Sequence, residues 1–134
     1  MIFIDTGAFL ARYLQKDQYH KKALRGWGRL RESSETVSTS NFVLDETFTL
    51  LGRRAGYEFA AERARKIYGS ERLTIFRPSY EEEWQALILF EKYADQKVSF
   101  TDCTSFVLMK KEKLKRVFTF DMHFQIAGFQ IWPE

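Results

Sequence analysis

Short apolar runs with no polar face alternate along this chain with longer segments of helical spacing. No other feature of the sequence limits the fold as much. Ile2-Phe3-Ile4 is too short for a helix and offers no side to water, so it reads as a strand buried on both faces. Similar runs stand at Leu73–Phe76, Arg116–Phe120 and Phe129–Ile131, with a weaker strand signal at Glu35–Ser38. Between them, helical spacing covers Ala8–Gln15, Tyr19–Arg31, Asn41–Arg54, Tyr57–Tyr68, the segment from Ser79 to about Tyr93, Thr101–Glu112 and a short Asp121–Ala127. Strands without a polar face, alternating with helices, argue for an α/β fold with a parallel sheet covered on both sides. Ligands in such folds gather beyond the carboxyl ends of the strands.

Local punctuation agrees with these boundaries. Asp17 is placed to cap the helix that follows it, and Ser40 or Asn41 to cap the next. Gly56 stops that helix, and the short turn to Tyr57 makes the two helices an antiparallel hairpin. Ser79 and Glu82 have the spacing of a capping box. The Tyr19–Arg31 helix repeats Ala23, Leu24, Trp27 and Leu30 at helical spacing and carries Lys21, Lys22, Arg25, Arg29 and Arg31. The chain has 134 residues, two prolines and no linker-like stretch, which makes 1–134 a single domain.

A net charge of +3 permits an anionic partner without demanding one. The single Cys103 excludes an intrachain disulfide framework and a Cys-rich zinc site, and is read as a small buried apolar residue. No apolar run is long enough to span a bilayer, and charge comes too early at the N-terminus for a signal peptide, so a cytoplasmic protein without a membrane partner is expected.

The acids carry the functional argument. Asp5 follows the first strand and Asp121 follows Val117–Phe120, so two parallel neighbouring strands would bring both to one sheet edge. Asp102 opens a helix beside that edge. Glu46 has Phe42, Val43, Thr49 and Leu50 three and four residues away, a largely apolar surface, whereas Asp45 has Asn41 and Thr49 at i±4 and is more solvated. A carboxylate on an apolar face is costly unless it is paired or binds a metal. Taken singly, Asp5 and Asp121 would serve as helix caps, Asp102 as part of a Ser99–Asp102 capping box, and Glu46 as an arginine partner. Taken together, four carboxylates in one pocket cannot all stay ionised without a cation, and oxygen ligands suit Mg²⁺ or Mn²⁺. No HExxH or paired-Cys zinc spacing, no GxxxxGK[ST] or GxGxxG loop and no GxSxG elbow occurs.

The segments IFIDTGAF, SNFVLDETFTLL, VSFTDCTSFVLM and VFTFDMHFQIAGFQIWP, in that order, resemble the PIN-domain nucleases, and the VapC-type toxin ribonucleases in particular. The resemblance runs the length of the chain. It implies an α/β/α sandwich around a parallel sheet, with the hairpin Asn41–Tyr68 as an arm that builds a homodimer. It makes Asp5, Glu46, Asp102 and Asp121 the ordered acids of a Mg²⁺ or Mn²⁺ site, with Thr6 and Thr119 as the hydroxyls beside the first and last. It implies metal-dependent endoribonucleolysis leaving 5′-phosphate and 3′-hydroxyl ends. The implied partners are an RNA substrate and a small antitoxin that inserts a segment into the acidic site.

Phosphate contacts are assigned to Arg12, Arg53, Arg54 and the basic run from Lys110 to Arg116, although such a run is ordinarily a solvated helix end. Trp27 and Trp84 are read as core, and His20 and His123 as structural, with His123 close enough to Asp121 to approach a substrate. The competing functions are a non-catalytic RNA- or protein-binding module, a nuclease of RNA processing outside any toxin system, and a phosphoryl-transfer domain with Asp5 as acceptor. Gly7 stands where the last of these would have a second Asp.

Overall fold

The computed structural model describes residues 1–134. Five strands, β1 (Ile2–Ile4), β2 (Val37–Ser40), β3 (Leu73–Phe76), β4 (Arg116–Phe118) and β5 (Gln130–Trp132), form one sheet in the order β3-β2-β1-β4-β5. All four pairings are parallel. Helices α1 (Thr6–Tyr13), α2 (His20–Glu32), α3 (Asn41–Ala55), α4 (Tyr57–Tyr68), α5 (Tyr80–Lys92), α6 (Phe100–Lys111) and α7 (His123–Ile126) make the connections, giving a three-layer α/β/α sandwich. No helix is long and apolar enough to cross a membrane.

The alternation of the sequence is therefore realised, with shifts at the ends. β1 is wholly buried, as its composition requires. β2 begins two residues later than ETVS suggests and runs through Ser40. Its Val-Ser-Thr-Ser side chains are all buried despite three hydroxyls. Thr39 donates to the Ile4 carbonyl at 2.8 Å, and Ser40 accepts from the Val43 amide at 3.1 Å to cap α3. β4 ends at Phe118, two residues short of the predicted run, and β5 is shifted one residue onward. α1 starts at Thr6, directly after β1.

Ser79 and Glu82 form the expected capping box at the start of α5. Asp17 accepts from the Tyr19 amide at 2.8 Å, which sets the turn into α2. Leu24 is exposed, and Gly26 takes its place on the buried face of α2. That glycine is required. A Cβ there would lie 2.5 Å from the ring of Phe118, so only glycine lets α2 approach β4 this closely. Gly56, at φ +96°, turns α3 into α4, and Gly52 gives room for the Tyr57 ring across the hairpin.

α6 is buried without interruption from Asp102 to Met109, between α5 on one side and α3 and α7 on others. Trp27 is buried as expected, packed at a tilt between Phe9 and Phe118, whereas Trp84 is 53% exposed on α5. The sequence misplaces Trp84 because an aromatic on an amphipathic helix has no local mark of which face it occupies. Cys103 is fully buried, and burial pushes its thiol up to about 11.

Candidate active site

The sheet order reverses direction at β1. The chain steps from β1 to β2 on one side, and returns to place β4 on the other. The crevice at the carboxyl ends of β1 and β4 is a topological switch point, where open α/β sheets bind ligands. The register pairs Ile4 with Phe118, and the Asp5 amide donates to the Phe118 carbonyl at 3.0 Å. Asp5 and Thr119 therefore leave the sheet side by side.

Asp5 occupies the cap position of α1, yet its side chain makes no capping hydrogen bond. Its Oδ2 accepts instead from the Thr119 hydroxyl at 2.7 Å, and that same hydroxyl accepts from the Asp121 amide at 3.0 Å. One buried threonine thus ties the first and last acids together. Asp121 Oδ1 accepts from the His123 amide at 2.9 Å, an Asx turn that carries the chain into α7. Asp102 sits in the first turn of α6, where its amide donates to Ser99 Oγ at 3.0 Å. The reciprocal half of a capping box is absent, so the Asp102 carboxylate is left for the cleft.

Asp5, Glu46, Asp102 and Asp121 all line one cleft of about 440 Å³, together with Thr6. Glu46 is half-buried on α3 and Asp45 is exposed, the arrangement that the helix-face argument requires. The cleft also contains Asp17, and Lys97 is its one lysine or arginine. Burial chiefly, with Asp121 and Glu46 adding repulsion, raises the Asp5 carboxyl to about 6. Burial again, then the neighbouring Asp5 and Asp121, raises Asp102 to about 9.

His123 belongs to this group more closely than a structural reading allows. Its Nδ1 lies 3.1 Å from Asp121 Oδ1 and 3.6 Å from Asp102 Oδ2. Asp102, Asp121 and His123 offer ligand atoms within 4.8 Å of one another. The i+2 offset of His123 from Asp121 was the available signal, but the turn that folds the ring back is set by Asp121 itself. His20, by contrast, is structural, its Nδ1 2.6 Å from the Ala11 carbonyl. The Asp17 and Lys97 contributions come from loops and carry no sequence signature.

The basic candidates are scattered. The Arg12 guanidinium lies 4.4 Å from the centroid of Trp27 and outside the cleft. Arg53 and Arg54 are exposed at the end of α3, and Arg54 lines a neighbouring hollow that shares Asp17 with the acidic cleft. Lys110 is exposed at the far end of α6, eight residues or about 12 Å beyond Asp102 along the helix.

Residues 2–130 match the PIN domain family model. The chain belongs to the PIN-domain family. This PIN domain is 36% identical, over the full length of both chains, to the 23S rRNA-specific endonuclease VapC20 of Mycobacterium tuberculosis. The crystal structure of that protein, described as a Sarcin-Ricin loop cleaving toxin, superposes with a TM-score of 0.87 at 35% identity, covering 97% of each chain. The fold also matches a DNA-bound VapBC of Salmonella typhimurium, with a TM-score of 0.65, 16% identity and coverage of 98% and 97%. A toxin–antitoxin complex of Klebsiella pneumoniae matches with a TM-score of 0.60, 14% identity and coverage of 98% and 95%.

Proposed function

We propose that this PIN domain is a divalent-metal-dependent endoribonuclease, the toxin of a toxin–antitoxin pair acting on RNA in the cytoplasm. One observation carries the reading. Carboxylates from four separate elements converge on one crevice, in a chain 36% identical throughout to an rRNA endonuclease. The 23S rRNA loop named for that relative is the first substrate to try.

The donor set fits Mg²⁺ or Mn²⁺. It is rich in carboxylate oxygen, and two of its carboxyls are raised, Asp5 to about 6 and Asp102 to about 9. The buried Thr6 hydroxyl has no hydrogen-bond partner within the protein, and His123 Nδ1, although 3.1 Å from Asp121 Oδ1, makes no well-directed hydrogen bond. A cation at this position would offset the charge of the clustered carboxylates. Asp5, Asp102 and Asp121 are the proposed ligands, with Glu46 orienting cation or water. A bound divalent ion would supply an acidified water and charge stabilisation for phosphodiester hydrolysis.

The protein's own part is positioning. Thr119 fixes Asp5 and Asp121 relative to each other, and the rigid β1 and β4 ends hold both at the floor. Glu46, at the cleft wall, orients the attacking water in line with the scissile P–O3′ bond. Cleavage leaves a 5′-phosphate and a 3′-hydroxyl.

Incubation of the protein with an rRNA fragment and Mn²⁺ is expected to give discrete cuts. Asp5→Asn should abolish them without unfolding the protein, and excess EDTA should abolish them as well. Cutting that survives either change would overturn the reading. The antitoxin is proposed to insert a cationic segment into the acidic cleft, and the helical hairpin α3–α4 to build a homodimer.

A further inference from the structure

A second cleft, of about 600 Å³, adjoins the acidic one and shares Tyr19 and Phe120 with it. These two rings are stacked at 4.6 Å between centroids and 4° between planes. Lys22, Arg25 and Arg29 of α2 line the second cleft. Offsets of three and four put them on one helix face, over about 10 Å of axis. Gly26, between them, brings that face close to β4, so the cationic row stands beside the segment that carries Thr119 and Asp121. Trp132 of β5 also lines the cleft, with the Arg29 guanidinium 5.2 Å from its ring centroid.

None of the three cations takes part in any of the fold's ion pairs. Arg72 and Arg116 differ. Arg72 donates to three backbone carbonyls, and Arg116 is bonded to Glu35. Like charges at i, i+3 and i+4 spacing disfavour a helix, and here no ion pair inside the protein offsets that. Glu134 is the one carboxylate on the cleft wall, and it is bonded to Gln130. The row is a cationic site with no carboxylate paired to it.

We propose that this second cleft binds the single-stranded RNA flanking the cut bond, with Lys22, Arg25 and Arg29 on successive phosphates and Trp132 or the Tyr19–Phe120 pair as a stacking surface. The inference rests on the endoribonuclease reading and names the substrate path leading to its acids. A row of cations with adjoining aromatic faces is the means by which single strands are held without base-edge readout. An acidic protein segment would use the charges but would have less use for the rings.

The test uses Asp5→Asn protein, so that binding is read without cutting. A fluorescently labelled single-stranded RNA is titrated by anisotropy at several salt concentrations. Lys22→Gln/Arg25→Gln/Arg29→Gln is expected to weaken binding about tenfold or more at low salt and to flatten the log Kd against log salt slope by about 2, since each single-strand phosphate contact contributes about 0.7. Lys21→Gln/Arg31→Gln/Lys92→Gln removes the same charge from exposed positions outside both clefts and should leave the slope unchanged. Arg25→Gln alone, exposed and safe for folding, should flatten it by about 0.7. Equal slopes in the two triple variants would overturn the proposal. So would native RNA binding combined with lost binding of a poly-glutamate peptide, which would assign the row to a protein partner. Cleavage by the native chain is scored separately. RNA bound through the row but never cut would refute the nuclease reading alone, whereas RNA cut without help from the row would refute this inference alone.

Discussion

At the scale of single residues, the acidic site depends on a neutral one. Thr119 is 1% exposed, donates to Asp5 and receives the Asp121 amide, so both ends of its hydroxyl are used. Its bond to Asp5 lowers that carboxyl against the rise that burial imposes. Thr119→Val keeps the shape and removes the hydroxyl. Asp5 should then rise further, and a buried acceptor and a buried amide lose their partner, at a cost of about 1–3 kcal/mol. Groups that orient ligands without touching the ion typically cost about 10–100-fold in metal affinity or activity when removed. The expected outcome is therefore weaker Mn²⁺ binding by calorimetry and a cleavage pH profile displaced upward, both restored by Thr119→Ser. A Thr119→Val protein with native Mn²⁺ affinity would show that Asp5 is held by its strand alone. The same residue shows how far the candidate site was legible in the sequence. A hydroxyl two residues before Asp121 is visible in the text, but its bond to a residue 114 positions away exists only once β1 and β4 are neighbours.

At the scale of elements, the strands were readable where composition and burial coincide. Ile2-Phe3-Ile4 is such a case. Val37–Ser40 is not, because three hydroxyls conceal a fully buried strand, in which Thr39 bonds back to β1 and Ser40 caps the next helix. Thr119 and Phe120 fooled the pattern in the other direction. They continue the apolar alternation of β4 but leave the sheet to form the site floor. The cationic row on α2 was visible as charge, though nothing in the spacing told which face would adjoin the acids. That depends on Gly26, whose role is a close approach and not a turn. Gly26→Ala would ordinarily gain about 1 kcal/mol of helix propensity. Here the new Cβ meets Phe118, which is fully buried and has nowhere to move. Overpacking of this kind costs about 1–3 kcal/mol, so a net loss of stability in urea unfolding is expected. The displacement of α2 should also weaken RNA binding through Lys22, Arg25 and Arg29. Gly28, with only the end of the Arg31 side chain nearby, is the control position, and Gly28→Ala should be neutral or stabilising.

At the scale of the whole molecule, the acidic cleft is a local instability that a cation would relieve. The sign follows from the two raised carboxyls. Asp5 titrates at about 6 and Asp102 at about 9 in the folded protein, against 3.8 for each when exposed. Between these limits the folded chain holds more protons than the unfolded chain, so stability falls as pH rises through that window. Glu35 and Glu82 act in the opposite sense, because Arg116 holds Glu35, and the Ser79 amide followed by Lys111 holds Glu82, below the usual value. Their contribution is present above about 4.5 and is lost on acidification. Metal-free protein should therefore melt highest near pH 5 and progressively lower toward pH 9. Divalent cations compete with protons for the same oxygens, so Mg²⁺ or Mn²⁺ should raise the melting temperature more at pH 8 than at pH 6. Asp102→Asn removes the most strongly raised group. It should flatten the metal-free pH dependence, stabilise the protein at pH 8 in EDTA, and shrink the gain from added metal. Differential scanning calorimetry of the two proteins in EDTA and in Mn²⁺, at both pH values, separates these effects. A native pH slope in Asp102→Asn would mean that the instability does not lie at Asp102. A metal gain independent of pH would mean that the cation binds somewhere other than the buried acids.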